Sequence, residues 1–290
     1  MPATGLLLLV DLDGVLYRGA EPVPGVGAVL ATRAARGDDV VYVTNNSMWY
    51  RAEYVERIRR MGAPATADRI VSSPRATALY LRDHEPAIQH VLTVGASGMD
   101  RELEDAGFRV TRAGDVGERL RGGGVEGTDG ANGWEAAGRP DAVVVGLDPK
   151  IDYLRLTVAT DCVRAGARFI ATNRDPVYPT ERALRPGAGS IVAAVEAASG
   201  VTPISIGKPE RYLLEEAART VGREAEEAIM IGDGLGTDIA AAIAVGARSI
   251  LMLTGVTTRE ALAEVPLEAR PTEVAADAAE LGAILERLGR

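Results

Sequence analysis

The chain has 290 residues, of which 47% are hydrophobic and 25% charged, and a formal net charge of −9. That balance suits a soluble globular protein with room for two domains, and the acidic charge argues against nucleic acid as the main partner. One cysteine, Cys162, excludes an internal disulfide and fits a reducing cytoplasm, and the apolar runs are too short for a membrane span or the core of a signal peptide.

The first element is an unbroken apolar run, residues 6–10 (LLLLV), read as a strand buried on both faces, as in a parallel sheet. It delivers Asp11 and Asp13 at its carboxyl end, followed by Gly14, where the backbone turns tightly or lets something approach. Two carboxylates at this spacing can share a hard cation, or divide nucleophilic attack and proton handling between them. An acidic turn is the plain alternative, and the rest of the chain decides between them.

Residues 23–36 read as a helix ended by Gly37, and 39–43 as a second buried strand that ends in Thr44-Asn45-Asn46-Ser47. An amphipathic helix over 51–61 stops at Gly62, a short strand falls at 70–71 and a further helix at 74–81. This is a repeated β-α-β pattern with right-handed crossovers.

A second α/β start follows, with strands at 91–95 and 108–110 around a helix at 97–106. Residues 121–140 hold seven of the chain's 33 glycines and read as a mobile connection. Strands at 142–145 and 168–171 and helices at 152–165 and 188–199 come next. The run at 203–206 leads into Gly207-Lys208-Pro209 and a helix at 210–221. A buried strand at 228–231 ends in Gly232-Asp233-Gly234. A helix at 239–245, a strand at 249–253 and a helix at 277–288 close the chain. The expected architecture is a doubly wound parallel α/β sheet formed by 1–81 and 204–290, interrupted by an inserted α/β domain at 82–203.

Composition adds a hint. Of 32 basic residues only Lys150 and Lys208 are lysines, so a lysine after a strand suggests a need for a compact point charge. The two histidines, His84 and His90, sit in a polar segment and read as surface residues, which leaves no basis for a histidine triad or a His-rich zinc site.

Four loops therefore fall at strand ends: Asp11 with Asp13, Thr44 with Asn45 and Asn46, Lys208, and Asp233 with Asp238. Such ends converge in a doubly wound sheet. Together they supply a carboxylate nucleophile, hydroxyl and amide donors, a cation and acidic metal ligands, which is what phosphoryl transfer needs. Singly each has a bland reading: a turn, a helix entrance, or a helix capped by Thr237 or Asp233.

The segments DLDGVLYRG (11–19), VTNNS (43–47), IGKP (206–209), IGDGLGTDI (231–239) and ATNRDPVYPTERALRPGAGSIVAAVEAASG (171–200) resemble the haloacid-dehalogenase superfamily, specifically its subfamily IIA, the NagD-like and 4-nitrophenylphosphatase-like branch. The resemblance implies that Asp11 attacks phosphorus and that Asp13 serves as acid, then base. It implies Mg²⁺ held by the Asp11 carboxylate, the Asp13 carbonyl and Asp233, with Asp238 orienting that shell. Gly14 and the neighbouring loop amides, Thr44, Asn45, Asn46 and Lys208 would bind the phosphoryl group. The inserted domain would be a C2-type cap, with the segment from Asn173 and Asp175 to Arg185 facing the leaving group. Gly234-Leu235-Gly236 departs from the bulkier or charged residues common in relatives.

The implied activity is Mg²⁺-dependent hydrolysis of a small phosphorylated metabolite in the cytoplasm, without nucleic acid or membrane, by a chain that relatives suggest dimerises through the cap. The competing class is a binding or phosphotransfer protein of the same fold, a phosphomutase for instance; intact Asp11, Asp13, Lys208 and Asp233 argue against a non-hydrolytic binder. Three patterns are set aside. Cys162 to Arg168 has cysteine-phosphatase spacing but reads as helix interior. Gly122-x-Gly124-x-x-Gly127 lacks a strand-turn-helix context. Asp148 and Thr172-Asn173 echo the first motifs without a second aspartate or lysine.

Overall fold

A computed structural model describes residues 5–122, 132–179 and 183–289. Residues 123–131 of the glycine-rich stretch, and with them the 122–127 glycine pattern beyond Gly122, lie outside the described residues. The chain divides into two compact units, one comprising the chain up to Thr44, Arg51–Ser72 and the chain from Lys208, the other Asn45–Tyr50 and Ser73–Gly207.

In chain order the strands are β1 (Leu7–Asp11), β2 (Tyr17–Arg18), β3 (Glu21–Pro22), β4 (Asp39–Thr44), β5 (Ile70–Ser72), β6 (His90–Val94), β7 (Arg109–Arg112), β8 (Ala142–Val145), β9 (Arg168–Ala171), β10 (Val177–Pro179), β11 (Leu184–Pro186), β12 (Ile204–Ser205), β13 (Ala228–Gly232), β14 (Arg248–Met252) and β15 (Glu273–Ala275). The helices are α1 (Val26–Ala35), α2 (Arg51–Arg60), α3 (Ser73–His84), α4 (Ser97–Asp105), α5 (Ala113–Gly122), α6 (Gly133–Ala136), α7 (Tyr153–Arg164), α8 (Ala188–Ser199), α9 (Tyr212–Arg219), α10 (Ala240–Val245), α11 (Arg259–Ala263) and α12 (Ala278–Leu288).

The first unit holds a six-stranded sheet in the order β15-β14-β13-β1-β4-β5, parallel throughout. β1 is central, and Leu7, Leu8, Leu9 and Val10 are fully buried, which is why its sequence shows no polar alternation. Strand order reverses between β1 and β13, so a crevice opens at their carboxyl ends. There β1 delivers Asp11 and β13 delivers Asp233. The edge strand β15 was not expected from the sequence; its three residues, Glu-Val-Ala, are too few and too mixed to show a period.

The second unit holds a five-stranded sheet in the order β12-β9-β8-β6-β7, also parallel. Its core includes Leu92, Val94, Val143, Val145, Phe169, Val158, Cys162 and Val192. The unit takes in more chain than the expected 82–203. β12 pairs with β9, and α3 packs on α4, because the apolar face of an amphipathic helix does not say which sheet it will cover. His90 opens β6 and is 4% exposed rather than superficial. Its Nδ1 lies 2.7 Å from Arg109 Nη2 and its Nε2 2.8 Å from Thr111 Oγ1.

This second sheet also has a reversal, between β6 and β8, and the chain itself fills it. Leu147 N–H donates to Ser47 Oγ at 2.8 Å. A Cβ on Gly98 would lie 2.5 Å from Met48 O and Trp49 C, so only glycine lets α4 accept that segment. Asp148 is held by Arg155 Nη1 at 2.6 Å and by the Lys150 amide at 2.8 Å. The crevice where a ligand would enter is thus occupied by Ser47–Tyr50, and the echo of the first motifs is structural.

Candidate active site

Asp11 ends β1, and the chain turns at once. Leu12 O accepts from Leu16 N at 2.9 Å, Gly14 N donates to Tyr17 O at 2.8 Å, and Gly14 has φ +80, a left-handed conformation that disfavours any side chain. Asp13 remains solvent-exposed, with the Tyr17 hydroxyl bonded to it and the Arg57 guanidinium nearby. Arg57 itself is stacked 3.7 Å from the Tyr17 ring centre.

Lys208 opens the returning segment of the first unit. Its Nζ donates to Asp11 Oδ1 and to Asp238 Oδ1, both at 2.6 Å. Lys208, Asp11 and Asp238 are 3%, 7% and 1% exposed. Burial works to lower the lysine pKa, but the two carboxylates outweigh it and hold the ammonium charged. For Asp11, burial pushes the pKa upward, while Lys208 pulls against it.

Asp233 follows β13, and burial first, then Asp238, raises its carboxyl to about 6. Asp11, Asp233 and Asp238 each place a carboxylate oxygen within 4.8 Å of the others. Three buried carboxylates against one ammonium leave excess negative charge away from water, and a hard divalent cation matches that oxygen set. Asp238 accepts the Gly234 amide at 2.9 Å through its other oxygen. Gly234, not Thr237 or Asp233, occupies the N-cap of a single π turn, Leu235–Ile239. A Cβ on Gly234 would collide with Thr237 Oγ1, whereas Gly236 faces open space. The first glycine of the unusual pair thus lies close against the Thr237 side chain, and the second does not touch it.

Thr44 ends β4, one residue past the Val43 that pairs with Asp11, and is 3% exposed. Asn45 and Asn46 continue the loop in the second unit. The Asn45 carbonyl accepts from Ser73 Oγ and from Asn173 Nδ2, both at 2.8 Å. Asn45 Nδ2 donates to Asp175 Oδ2 at 3.0 Å, and Asn46 Oδ1 accepts the Met48 amide at 3.0 Å. Asn173 and Asp175, expected beside a leaving group, are thus hydrogen-bonded to Asn45. Cys162 lies inside α7, fully buried, with its thiol pushed up to about 12 by burial. The cysteine-phosphatase spacing is a coincidence of helix sequence.

Sequence reasoning missed Ser73 and the loop after β14. There Thr254 Oγ1 donates to Gly14 O at 2.7 Å, the Val256 amide to Asp233 Oδ2 at 2.7 Å, and Thr257 Oγ1 to Asp233 O at 2.5 Å. The available signal was a hydroxyl-rich TGVTT run directly after the strand beside β13.

A doubly wound sheet with a lysine bridging two aspartates at its reversal defines a class, and comparison with known proteins agrees. A family model for haloacid dehalogenase-like hydrolases matches residues 8–109, and a second HAD-hydrolase-like model matches residues 205–281. Phosphoglycolate phosphatase 2 of Arabidopsis thaliana is 37% identical over 265 residues, covering 88% of this chain and 84% of its own. The 5'-nucleotidase YutF of Bacillus subtilis is 34% identical over 252 residues, covering 87% and 88%. The crystal structure of a glycerol phosphate phosphatase from Mycobacterium tuberculosis in complex with magnesium superimposes with a TM-score of 0.80 at 31% identity, over 97% of this chain and 78% of that one.

The chain belongs to the haloacid dehalogenase-like hydrolases. Within that family its relatives are phosphatases, consistent with the NagD-like and 4-nitrophenylphosphatase-like branch, and the chain is a phosphomonoester hydrolase.

Proposed function

We propose that this phosphatase hydrolyses small phosphorylated metabolites through an aspartyl-phosphate on Asp11, with Mg²⁺ as its cation. The observation that carries the reading is Lys208 Nζ, buried and 2.6 Å from both Asp11 and Asp238. It fixes one oxygen of Asp11 and leaves the other carboxylate oxygen as the nucleophile.

Asp11 attacks phosphorus, and the P–O bond to the leaving group breaks as Asp13 protonates that oxygen. Asp13, now a carboxylate, takes a proton from water as the water attacks the phosphoryl group. Inorganic phosphate leaves, and Asp11 is restored with Asp13 protonated again. Lys208 and Thr44 hold phosphoryl oxygens, with Gly14 and the amides of the Asn45-Asn46 loop as further donors. Asp238 keeps Lys208 in place. Asp11, the Asp13 carbonyl and Asp233 would hold Mg²⁺, which supplies neutralisation of phosphoryl charge. Hard oxygen donors favour Mg²⁺ over zinc. The second unit is read as the cap that selects the leaving group, and Asn173 and Asp175 as residues that order the Asn45 loop. We further read the chain as cytoplasmic and as dimerising through the cap.

The test is nitrophenolate release from p-nitrophenyl phosphate with Mg²⁺ and with chelator, then phosphate release across glycerol phosphate, phosphoglycolate, sugar phosphates, nucleoside monophosphates and pyridoxal phosphate. Strong turnover in chelator would refute the metal requirement. Release that depends on a second acceptor would show transfer rather than hydrolysis.

A further inference from the structure

The loop after β14 touches two parts of the active site at once. Thr254 Oγ1 donates to Gly14 O at 2.7 Å, beside Asp13. The Val256 amide donates to Asp233 Oδ2 at 2.7 Å, and Thr257 Oγ1 to Asp233 O at 2.5 Å. Thr257 is 7% exposed, whereas the Val256 side chain is 78% exposed, so Val256 is held there by its backbone rather than by packing.

Two glycines make the approach possible. A Cβ on Gly255 or on Gly14 would collide with Asp233 Oδ2, and the Gly14 position also lies 3.0 Å from Gly255 Cα. The Asp11–Gly14 turn, the Asp233 turn and the loop 254–257 therefore meet with no room for a side chain between them.

We propose that Thr254 and Thr257 are positioning residues. They lock the Asp233 turn to the Asp11–Gly14 turn, hold the Val256 amide against the Asp233 carboxylate, and so set the affinity of the site for its divalent cation. The inference rests on the reading of Asp233 as a cation ligand. One Asp233 oxygen is engaged by an amide, which fixes the carboxylate plane and directs the other oxygen. Hydrogen bonds of this outer kind typically change metal affinity by about 10–100-fold.

The experiment is calorimetric titration of the full chain with Mg²⁺ alone, without substrate. Thr257→Val, which keeps the shape and removes the donor, is expected to raise the Mg²⁺ Kd by about tenfold or more, and Thr257→Ser to restore it. Thr254→Val removes the second hydroxyl independently and is expected to shift Kd in the same direction, so the proposal does not depend on one variant folding. Thr258→Ala is the control: its hydroxyl caps α11 through the Ala261 amide at 3.2 Å, so the substitution should leave the Mg²⁺ Kd unchanged. Wild-type Kd in every valine variant that folds, or an equal rise in Thr258→Ala, overturns the brace while leaving the phosphatase reading intact. A wild-type chain that takes up no Mg²⁺ overturns that reading, and the brace with it.

Discussion

Lys208 Nζ lies 2.6 Å from Asp11 Oδ1, although 197 residues separate the two in sequence. The pair is buried, and the same ammonium reaches Asp238. The nucleophile is therefore held by a cation whose removal would leave clustered carboxylates without compensation.

Lys208→Met is accordingly expected to abolish turnover and to destabilise the chelator-treated protein by about 3–5 kcal/mol, the usual cost of stripping one partner from a buried ion pair. Lys208→Arg should not rescue it, since a planar guanidinium does not replace a compact ammonium between two carboxylates. Urea unfolding with and without Mg²⁺ measures this, and part of the loss should return with Mg²⁺. An unchanged midpoint in chelator would contradict the pairing.

The Asp233 carboxyl, raised to about 6 from its ordinary value of 3.8, carries a pH signature. A raised folded pKa contributes stability that is fully present below about 3.8 and is lost as pH rises through about 6. Without metal, this site should therefore weaken the fold progressively between those limits. A divalent cation binds the ionised form, so the rise in melting temperature caused by Mg²⁺ should be larger at pH 7.5 than at pH 5. An equal rise at both would rule out the linkage.

The two first-loop aspartates should separate kinetically. Asp11→Asn removes the nucleophile and should show no added phosphoryl mass after acid quench. With nitrophenyl phosphate the first step needs little protonation, whereas water still needs a base. Asp13→Asn should then give a burst of nitrophenolate, accumulate the adduct and turn over about 10²–10⁴-fold more slowly. Phosphorylated Asp11→Asn protein would sink the assignment of the nucleophile.

Asn173 donates to the Asn45 carbonyl rather than standing alone on a loop. Asn173→Ala is expected to lower kcat/KM for every substrate by a common factor of about ten and to weaken inhibition by inorganic phosphate equally, as loss of one hydrogen bond in a positioning role implies. A changed substrate ranking with unchanged phosphate inhibition would assign the residue to the leaving group instead.

Much of the architecture was legible because it is written locally. Residues 7–10, 142–145 and 228–231 are apolar without alternation, which only a strand buried on both faces requires, and glycines such as Gly37 and Gly62 mark helix ends. Asp11, Asp13, Lys208 and Asp233 were legible because strand-end loops in a doubly wound sheet gather at one edge. By contrast β15 and Ser73 left no pattern, and Thr254 and Thr257 left only a hydroxyl-rich run: a three-residue edge strand has no period, and such a run does not say which distant carbonyl each hydroxyl bonds.

What the sequence determined by itself was therefore the parallel α/β class, the four strand-end motifs and the family they resemble. What only the tertiary structure decided was which groups meet. Lys208 bridges Asp11 and Asp238, Thr257 reaches the Asp233 carbonyl, and residues Asn45–Tyr50 join the second unit and close its crevice. The physical reason is that backbone propensity and apolar period act over a few residues, whereas these contacts depend on sheet order and on the absence of a Cβ at Gly14, Gly98 and Gly255, which no local pattern encodes.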